Sequence, residues 1–103
     1  MERNKILWHA VDIDGTLTKE TCWDEYDMLN ATPDQEMVDL VRSWYKQYHH
    51  IVIHTSRQWR FCEVTVEWLK RNNIPFHSIC MEKLPADDYL DDKSINPSSM
   101  RAE

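Results

Sequence analysis

Apolar residues occur in short runs that are separated by longer amphipathic stretches. Residues 6–11 are mostly apolar and end at acidic residues, residues 51–55 form a β-branched run between polar residues, and residues 76–79 fit a third strand. Such runs are typical of buried parallel strands. A last short strand is predicted at Tyr89-Leu90, directly before Asp91-Asp92.

The stretches between these runs predict helices. Thr32 is expected as the N-cap and Pro33 as the first residue of a helix that ends near His49. Its apolar positions recur at helical spacing and comprise Met37, Leu40, Val41, Trp44, Tyr45 and Tyr48. A second helix is expected to end at residues 71–73, before Pro75, and to bury Phe61, Val64, Trp68 and Leu69. Residues 18–32 lack a clear period and predict a loop or small flap.

Alternating strands and helices predict an α/β fold with a parallel sheet and right-handed crossovers. The length of 103 residues suits one domain, residues 1–103. Ligands of such sheets bind beyond the carboxyl ends of the strands, which makes the residues after each predicted strand the first candidates for a site.

Composition narrows the class of partner. A net charge of −6 disfavours attraction of a nucleic-acid backbone through a broad positive field, without excluding a local basic groove. Three cysteines without a Cys-x-x-Cys pair suit a reducing compartment, and the apolar run at residues 6–11 is too short for a signal segment or a membrane span. We therefore expect a cytoplasmic protein that binds a small molecule and no membrane.

The clearest chemical signal is a pair of carboxylates at the end of the first strand. Asp12 and Asp14 are two residues apart, so an extended backbone places both side chains on the same side. Gly15, the only glycine of the chain, follows directly. A glycine there predicts a positive φ or a close approach of the backbone.

Further polar residues follow the other strands. Thr55 ends the second predicted strand, and Asp91 and Asp92 follow the last one. Four carboxylates that meet at one sheet edge repel one another unless a cation is bound, and hard oxygen ligands favour Mg²⁺. Thr55 and Lys83 could hold a phosphate beside it, so the set predicts phosphoryl transfer.

These residues resemble the four ordered motifs of haloacid dehalogenase-superfamily phosphatases. The resemblance rests on Asp12-Ile13-Asp14-Gly15-Thr16-Leu17-Thr18, the apolar strand that ends in Thr55, Lys83, and Asp91-Asp92. It implies a minimal three-layer α/β/α Rossmann-like fold. It also implies that Asp12 is the nucleophile, and that Asp14 is the general acid and base and binds Mg²⁺ through its backbone carbonyl.

The resemblance assigns the remaining site residues as well. Thr55 becomes the donor to a phosphate oxygen, with Ser56 as second choice, and Lys83 becomes the cation that stabilises the nucleophile and the transferring group. Asp91 is the first choice for the direct metal ligand, and Asp92 ligates the metal or holds a metal-bound water. For Arg57 two interpretations stay open: it binds a substrate anion, or it caps the following helix and is solvated.

Within the superfamily, the chain looks most like compact bacterial and phage proteins, some linked to capsular-polysaccharide synthesis. It departs from them at Pro85, which lies one place later, and at Glu82, which replaces the glycine usual before the lysine. Pairing of Glu82 with Lys83 would lower activity. No insertion long enough for a cap domain separates the motifs, so we expect an open site. The resembling capless proteins either accept large substrates or use a neighbouring subunit as lid, and we expect a homo-oligomer.

The leading hypothesis is a Mg²⁺-dependent phosphomonoesterase that acts on a small phosphorylated metabolite, a sugar phosphate or a nucleotide. The alternatives are a nucleic-acid end (3′-) phosphatase and a noncatalytic binding or scaffold protein. Trp23 and Trp59 could stack on a sugar or base, although aromatic residues of small proteins more often belong to the core. No histidine is a candidate catalyst: His49-His50 is expected in a turn, and His54 within the second strand.

Overall fold

A computed structural model of the chain describes residues 5–83 and shows a parallel three-stranded sheet. Strand β1 is Trp8–Val11, β2 is His50–His54 and β3 is Ser78–Cys80, in the order β1-β2-β3. The register aligns Val11 with Ile53 and Ile53 with Ile79. The predicted parallel α/β fold is confirmed, while the strand expected at Tyr89-Leu90 lies outside the described residues.

Within residues 5–83, three helices accompany the sheet. Helix α1 is Glu25–Leu29, α2 is Gln35–Lys46 and α3 is Cys62–Arg71. A tight turn at Ile13–Leu17 follows β1, and a single 3₁₀ turn at Trp59–Phe61 leads into α3. The segment that the sequence predicted as a loop or flap therefore contains α1, which packs against α3.

Helix α2 begins later than predicted, with Asp34 and not Thr32 as its N-cap. The Asp34 side chain accepts a hydrogen bond from the backbone N–H of Met37. Thr32 and Pro33 are instead extended against the segment after β1, because Pro33 forms an antiparallel bridge with Thr18. The helix also ends before His49, at Lys46.

The buried face of α2 differs in part from the predicted stripe. Val38 and Val41 are buried, and of these two only Val41 belongs to the predicted stripe. The remaining members of the stripe are exposed, apart from the half-buried Trp44: Met37, Leu40, Tyr45 and Tyr48. Helix α2 packs on β2 and on the turn after β1, so it buries a narrower stripe than its apolar content suggests.

Strand β1 is shorter and more exposed than a fully buried strand. Within residues 5–83 it lies at an edge of the sheet, and Trp8 is 72% exposed while Val11 is buried. The third strand starts two residues later than predicted, at Ser78. Directly before it, the backbone N–H of His77 donates to the Ile51 carbonyl, and His77 Nδ1 accepts from the Ile51 N–H.

The core lies where the sheet meets α2 and α3. Trp68 is fully buried, and its indole N–H donates to the carbonyl of Ala31, which ties α3 to the segment before α2. Phe61 and Leu69 are buried as predicted, and Val64 is half-buried. This packing fixes the carboxyl ends of β1 and β2, from which the candidate site is built.

Candidate active site

The turn after β1 presents the first carboxylate. Asp12 caps the turn, since its Oδ1 accepts from the backbone N–H of Ile13 at 2.8 Å. Gly15 has φ +77°, which confirms the predicted positive φ. Thr18 closes the turn: its backbone N–H donates to the Ile13 carbonyl at 3.0 Å, and its hydroxyl accepts from the Gly15 N–H at 3.2 Å. The sequence Asp-x-Asp-Gly-Thr-Leu-Thr thus encodes a turn that holds two carboxylates beside the sheet edge.

Lys83 lies next to Asp12. Its Nζ is 3.9 Å from Asp12 Oδ2, and the Asp12 side chain is 40% exposed. The end of β2 places Lys83 there, because the Lys83 N–H donates to the Thr55 carbonyl at 2.8 Å and the Thr55 N–H donates to the Cys80 carbonyl at 2.9 Å. The structure therefore brings the proposed nucleophile and the proposed stabilising cation together.

Asp14 is held by Arg57. Nε and Nη2 of Arg57 donate to Oδ2 and Oδ1 of Asp14, each at 2.9 Å, and Nη1 donates to the Thr65 hydroxyl at 2.9 Å. The Cys22 N–H also donates to Asp14 Oδ1, at 3.1 Å. Two parallel charge-assisted bonds fix the orientation of this carboxylate as well as its charge.

The contacts of Arg57 contradict one of the two interpretations made from the sequence. Its side chain is only 3% exposed and its guanidinium donates to Asp14 and Thr65, so it is not a solvated helix cap, whereas binding of a substrate anion stays a prediction. Sequence reasoning missed this partner because Asp14 is 43 residues away along the chain. No local pattern signals such a pair.

Thr55 and Ser56 differ in access. Thr55 is fully buried, and its hydroxyl accepts from the Arg57 N–H at 3.1 Å, whereas Ser56 is exposed. Ser56 also lines a cleft of about 350 Å³ that opens beside Asp14. We call this the Trp23 cleft; its wall includes Asp14, Cys22, Trp23, Ser56, Arg57 and Arg60.

The Cys22 thiol at this cleft is not poised as a nucleophile. Burial raises the pKa of the Cys22 thiol, and the carboxylate of Asp14 raises it further. The thiol therefore stays protonated at neutral pH.

Glu82 occupies the position where the resembling proteins carry glycine, and it adopts the conformation that glycine favours. Its φ is +57°, and its carboxylate accepts from the Trp59 N–H at 3.0 Å. The expected pairing of Glu82 with Lys83 is absent from the ion pairs of the described residues, in which Lys83 faces Asp12. The Glu82 side chain is thus engaged with the turn before α3.

The oxygen donors at the β1 turn fit Mg²⁺ in part. Asp12 Oδ2 is a hard, accessible oxygen and suits the ion. Both carboxylate oxygens of Asp14 already accept hydrogen bonds, so only its backbone carbonyl fits the predicted role. Asp91 and Asp92 lie outside residues 5–83, and within that range no group of three or more His, Cys, Asp or Glu side chains could hold a metal.

Comparison with protein families identifies the chain. The family model described as "PITM 1-3, LNS2 domain" matches residues 10–99, which include all the motif residues above. The chain belongs to the LNS2 domain family. This family has the fold of the haloacid dehalogenase superfamily, so the superfamily predicted from the motifs is confirmed, and the membership supports phosphatase activity. The match does not show the predicted membership of the compact bacterial and phage subgroup.

Two solved structures share the fold of this LNS2-family chain. A structural-genomics target from Vibrio cholerae is 27% identical, with a TM-score of 0.67 over 91% of this chain and 86% of that one. A chain of the Pnkp1/Rnl/Hen1 complex is 18% identical, with a TM-score of 0.64 over 87% of this chain and 32% of that one. Comparison with curated proteins gave no match. Within residues 5–83, no helix is both long and apolar enough to cross a membrane.

Proposed function

We propose that this protein is a Mg²⁺-dependent phosphomonoester hydrolase that acts on a small phosphorylated metabolite through an aspartyl-phosphate. The observation that carries the proposal is the accessible Asp12 carboxylate, which lies 3.9 Å from Lys83 at the edge of the sheet. A carboxylate beside a fixed cation can approach a phosphoryl group whose charge the cation offsets. Membership of the LNS2 family supports the same chemistry.

In the first half of the proposed reaction, an Asp12 carboxylate oxygen attacks phosphorus and the bond from phosphorus to the leaving oxygen breaks. The leaving oxygen takes a proton from the carboxylic acid form of Asp14. Lys83 stabilises the negative charge of the transferring group. Asp14 is then a carboxylate, the form that pairs with Arg57.

In the second half, water attacks phosphorus and passes a proton to the Asp14 carboxylate. The bond from phosphorus to Asp12 breaks, which restores the nucleophile and releases phosphate. In this scheme, protonated Asp14 loses one or both of the hydrogen bonds that Arg57 donates to its carboxylate form. Arg57 thus acts through Asp14, as a positioning residue.

Asp12 and the backbone carbonyl of Asp14 are the proposed Mg²⁺ ligands within residues 5–83. Asp91 and Asp92, which lie outside these residues, are the further proposed ligands. Bound Mg²⁺ offsets the repulsion between the substrate phosphate and these carboxylates.

The direct test is phosphate release by the purified protein from a panel of sugar phosphates and nucleotides with Mg²⁺. Asp12→Asn should lower kcat by about 10³-fold or more, because the amide is not a nucleophile. Asp39→Asn, at an exposed ion pair on α2, is the matched control and should retain activity. Full activity of Asp12→Asn would exclude Asp12 as the nucleophile.

A nucleic-acid end phosphatase is the second candidate. The accessible cleft beside Asp14 favours it, and the net charge of −6 opposes it. The likeness to a chain of the Pnkp1/Rnl/Hen1 complex, at 18% identity, concerns the fold and does not decide between the candidates. Mg²⁺ binding without phosphate release from any substrate would instead indicate a noncatalytic binding protein.

A further inference from the structure

The Trp23 cleft contains an aromatic side chain without a ring partner. Trp23 is 80% exposed, and among residues 5–83 no aromatic contact involves it. It faces the cleft that borders Asp14, the proposed acid for the leaving group. A large apolar ring left in water at this position offers a stacking surface to whatever leaves the phosphate.

Arg60 provides a fixed cation at the same cleft. Its Nε donates to Gln58 Oε1 at 2.7 Å, and its guanidinium carbon lies 4.3 Å from the centre of the Phe61 ring. No carboxylate lies within 4.0 Å of it among the described residues, although Arg60 also lines a second groove that contains Glu25, Glu63 and Glu67. Arg60 is therefore oriented by neutral groups and keeps its charge for an anion.

We propose that the Trp23 cleft binds the leaving group of the substrate, and that this leaving group is a nucleoside carrying a second phosphate. The base stacks on Trp23, and the second phosphate binds Arg60. The inference rests on the proposed phosphomonoesterase function, because it concerns the group released at Asp14. A volume of about 350 Å³ is adequate for part of a nucleotide in an accessible site.

The neighbouring cavity does not suit this ligand. It has a volume of about 420 Å³ and is lined by Glu20 and Asp27, with no lysine or arginine. A phosphate there would meet two negative charges. Of these two cavities of the described chain, only the Trp23 cleft combines a ring surface, a cation and access to Asp14.

The test compares a nucleoside 3′,5′-bisphosphate with acetyl phosphate, which has neither a ring nor a second anion. Trp23→Leu and Arg60→Gln should each lower the ratio of kcat/KM for the bisphosphate to that for acetyl phosphate by about tenfold. Trp8→Leu and Arg71→Gln are matched controls, because both residues are exposed and lie outside the cleft. The controls should leave the ratio unchanged.

A 3′-phosphorylated oligonucleotide distinguishes the two sources of this chemistry. Preference for the free bisphosphate indicates a metabolite, and preference for the oligonucleotide indicates a nucleic-acid end. In either case the proposal is supported if Trp23→Leu and Arg60→Gln both lower the ratio of kcat/KM for the preferred substrate to that for acetyl phosphate. Hydrolysis with unchanged ratios overturns the proposed cleft and leaves the phosphatase function intact.

If no substrate is hydrolysed, the proposed function fails and the cleft is tested by calorimetric titration of the bisphosphate. Roughly tenfold weaker binding to Trp23→Leu and Arg60→Gln than to the control variants would support it. Equal binding, or no binding to the unsubstituted protein, would overturn it.

Discussion

At the scale of single residues, the two carboxylates of the β1 turn have different physical tasks. Asp12 is accessible and caps the turn, while Asp14 is only 18% exposed and pairs with the buried Arg57. The pair links the turn after β1 to the segment after β2, and Thr65 adds a contact from α3. Asp14 is therefore a structural residue as well as a proposed catalytic one.

This difference predicts unequal effects of the same substitution. Asp14→Asn should lower the free energy of unfolding by about 3 kcal/mol, because it leaves the Arg57 guanidinium buried without a counterion. Asp12→Asn keeps an oxygen for the cap and should change the free energy by less than about 0.5 kcal/mol. Urea denaturation measures both values. Equal stability of the two variants would contradict the structural role of the pair.

At the scale of elements, the amino ends of the three strands carry a histidine cluster. We use this name for His9, His49, His50 and His77, four of the five histidines of the chain. His9 Nε2 and His49 Nδ1 are 2.9 Å apart, and His9 stacks on Trp44 with ring centres 3.6 Å apart. His50 stacks between Trp8, at 3.8 Å, and His77, at 4.4 Å. His50 begins β2, whereas the sequence predicted a turn there.

The cluster predicts a loss of stability in mild acid. Burial lowers the pKa of His9 below its ordinary value of 6.5, and the nearby His49 lowers it further. The unfolded chain then binds a proton more readily than the folded one, so stability is complete above about pH 6.5 and falls as the pH drops below that value. The midpoint temperature of thermal unfolding should decrease as the pH is lowered from 7 to 5.

Two variants test whether His9 causes this pH dependence of stability. His9→Gln should reduce the fall of the thermal midpoint, whereas His54→Gln, at the other end of β2, should not. Carboxylates titrate at lower pH, so the comparison between variants isolates the histidine contribution. Identical pH profiles for His9→Gln and the unsubstituted protein would contradict the assignment.

At the scale of the whole molecule, the parallel sheet separates two kinds of surface. The carboxyl ends of its strands hold Asp12, Thr55 and Lys83, and the amino ends hold the histidine cluster. Exposed Ile6, Leu7 and Trp8 lie near the amino end of β1. Self-association of this protein stays a prediction.

Magnesium should stabilise the whole fold if Asp12 binds it. A ligand that binds only the folded state, at about 100 times its Kd, adds about 2.7 kcal/mol, which raises Tm by on the order of 10 °C in a domain of this size. Differential scanning calorimetry should show this rise with MgCl₂ over NaCl of equal ionic strength. Asp12→Asn should greatly reduce it, and an equal rise in that variant would exclude Asp12 as a ligand.

Local sequence determined the parts of the structure that depend on neighbours along the chain. The branched apolar runs specified parallel strands, and the motif from Asp12 to Thr18 specified a turn with Gly15 at positive φ and identified the superfamily. These features could be predicted because strand periodicity and the φ preference of glycine are properties of a few consecutive residues.

Tertiary structure alone decided the features that join distant segments. Asp14 and Arg57 are 43 residues apart in the sequence. The N-cap of α2 is Asp34 and not the predicted Thr32, because Pro33 pairs with Thr18. The histidine cluster likewise requires three strands side by side. Such contacts depend on how elements pack, since a side chain finds its partner only after the backbone of another element is in place.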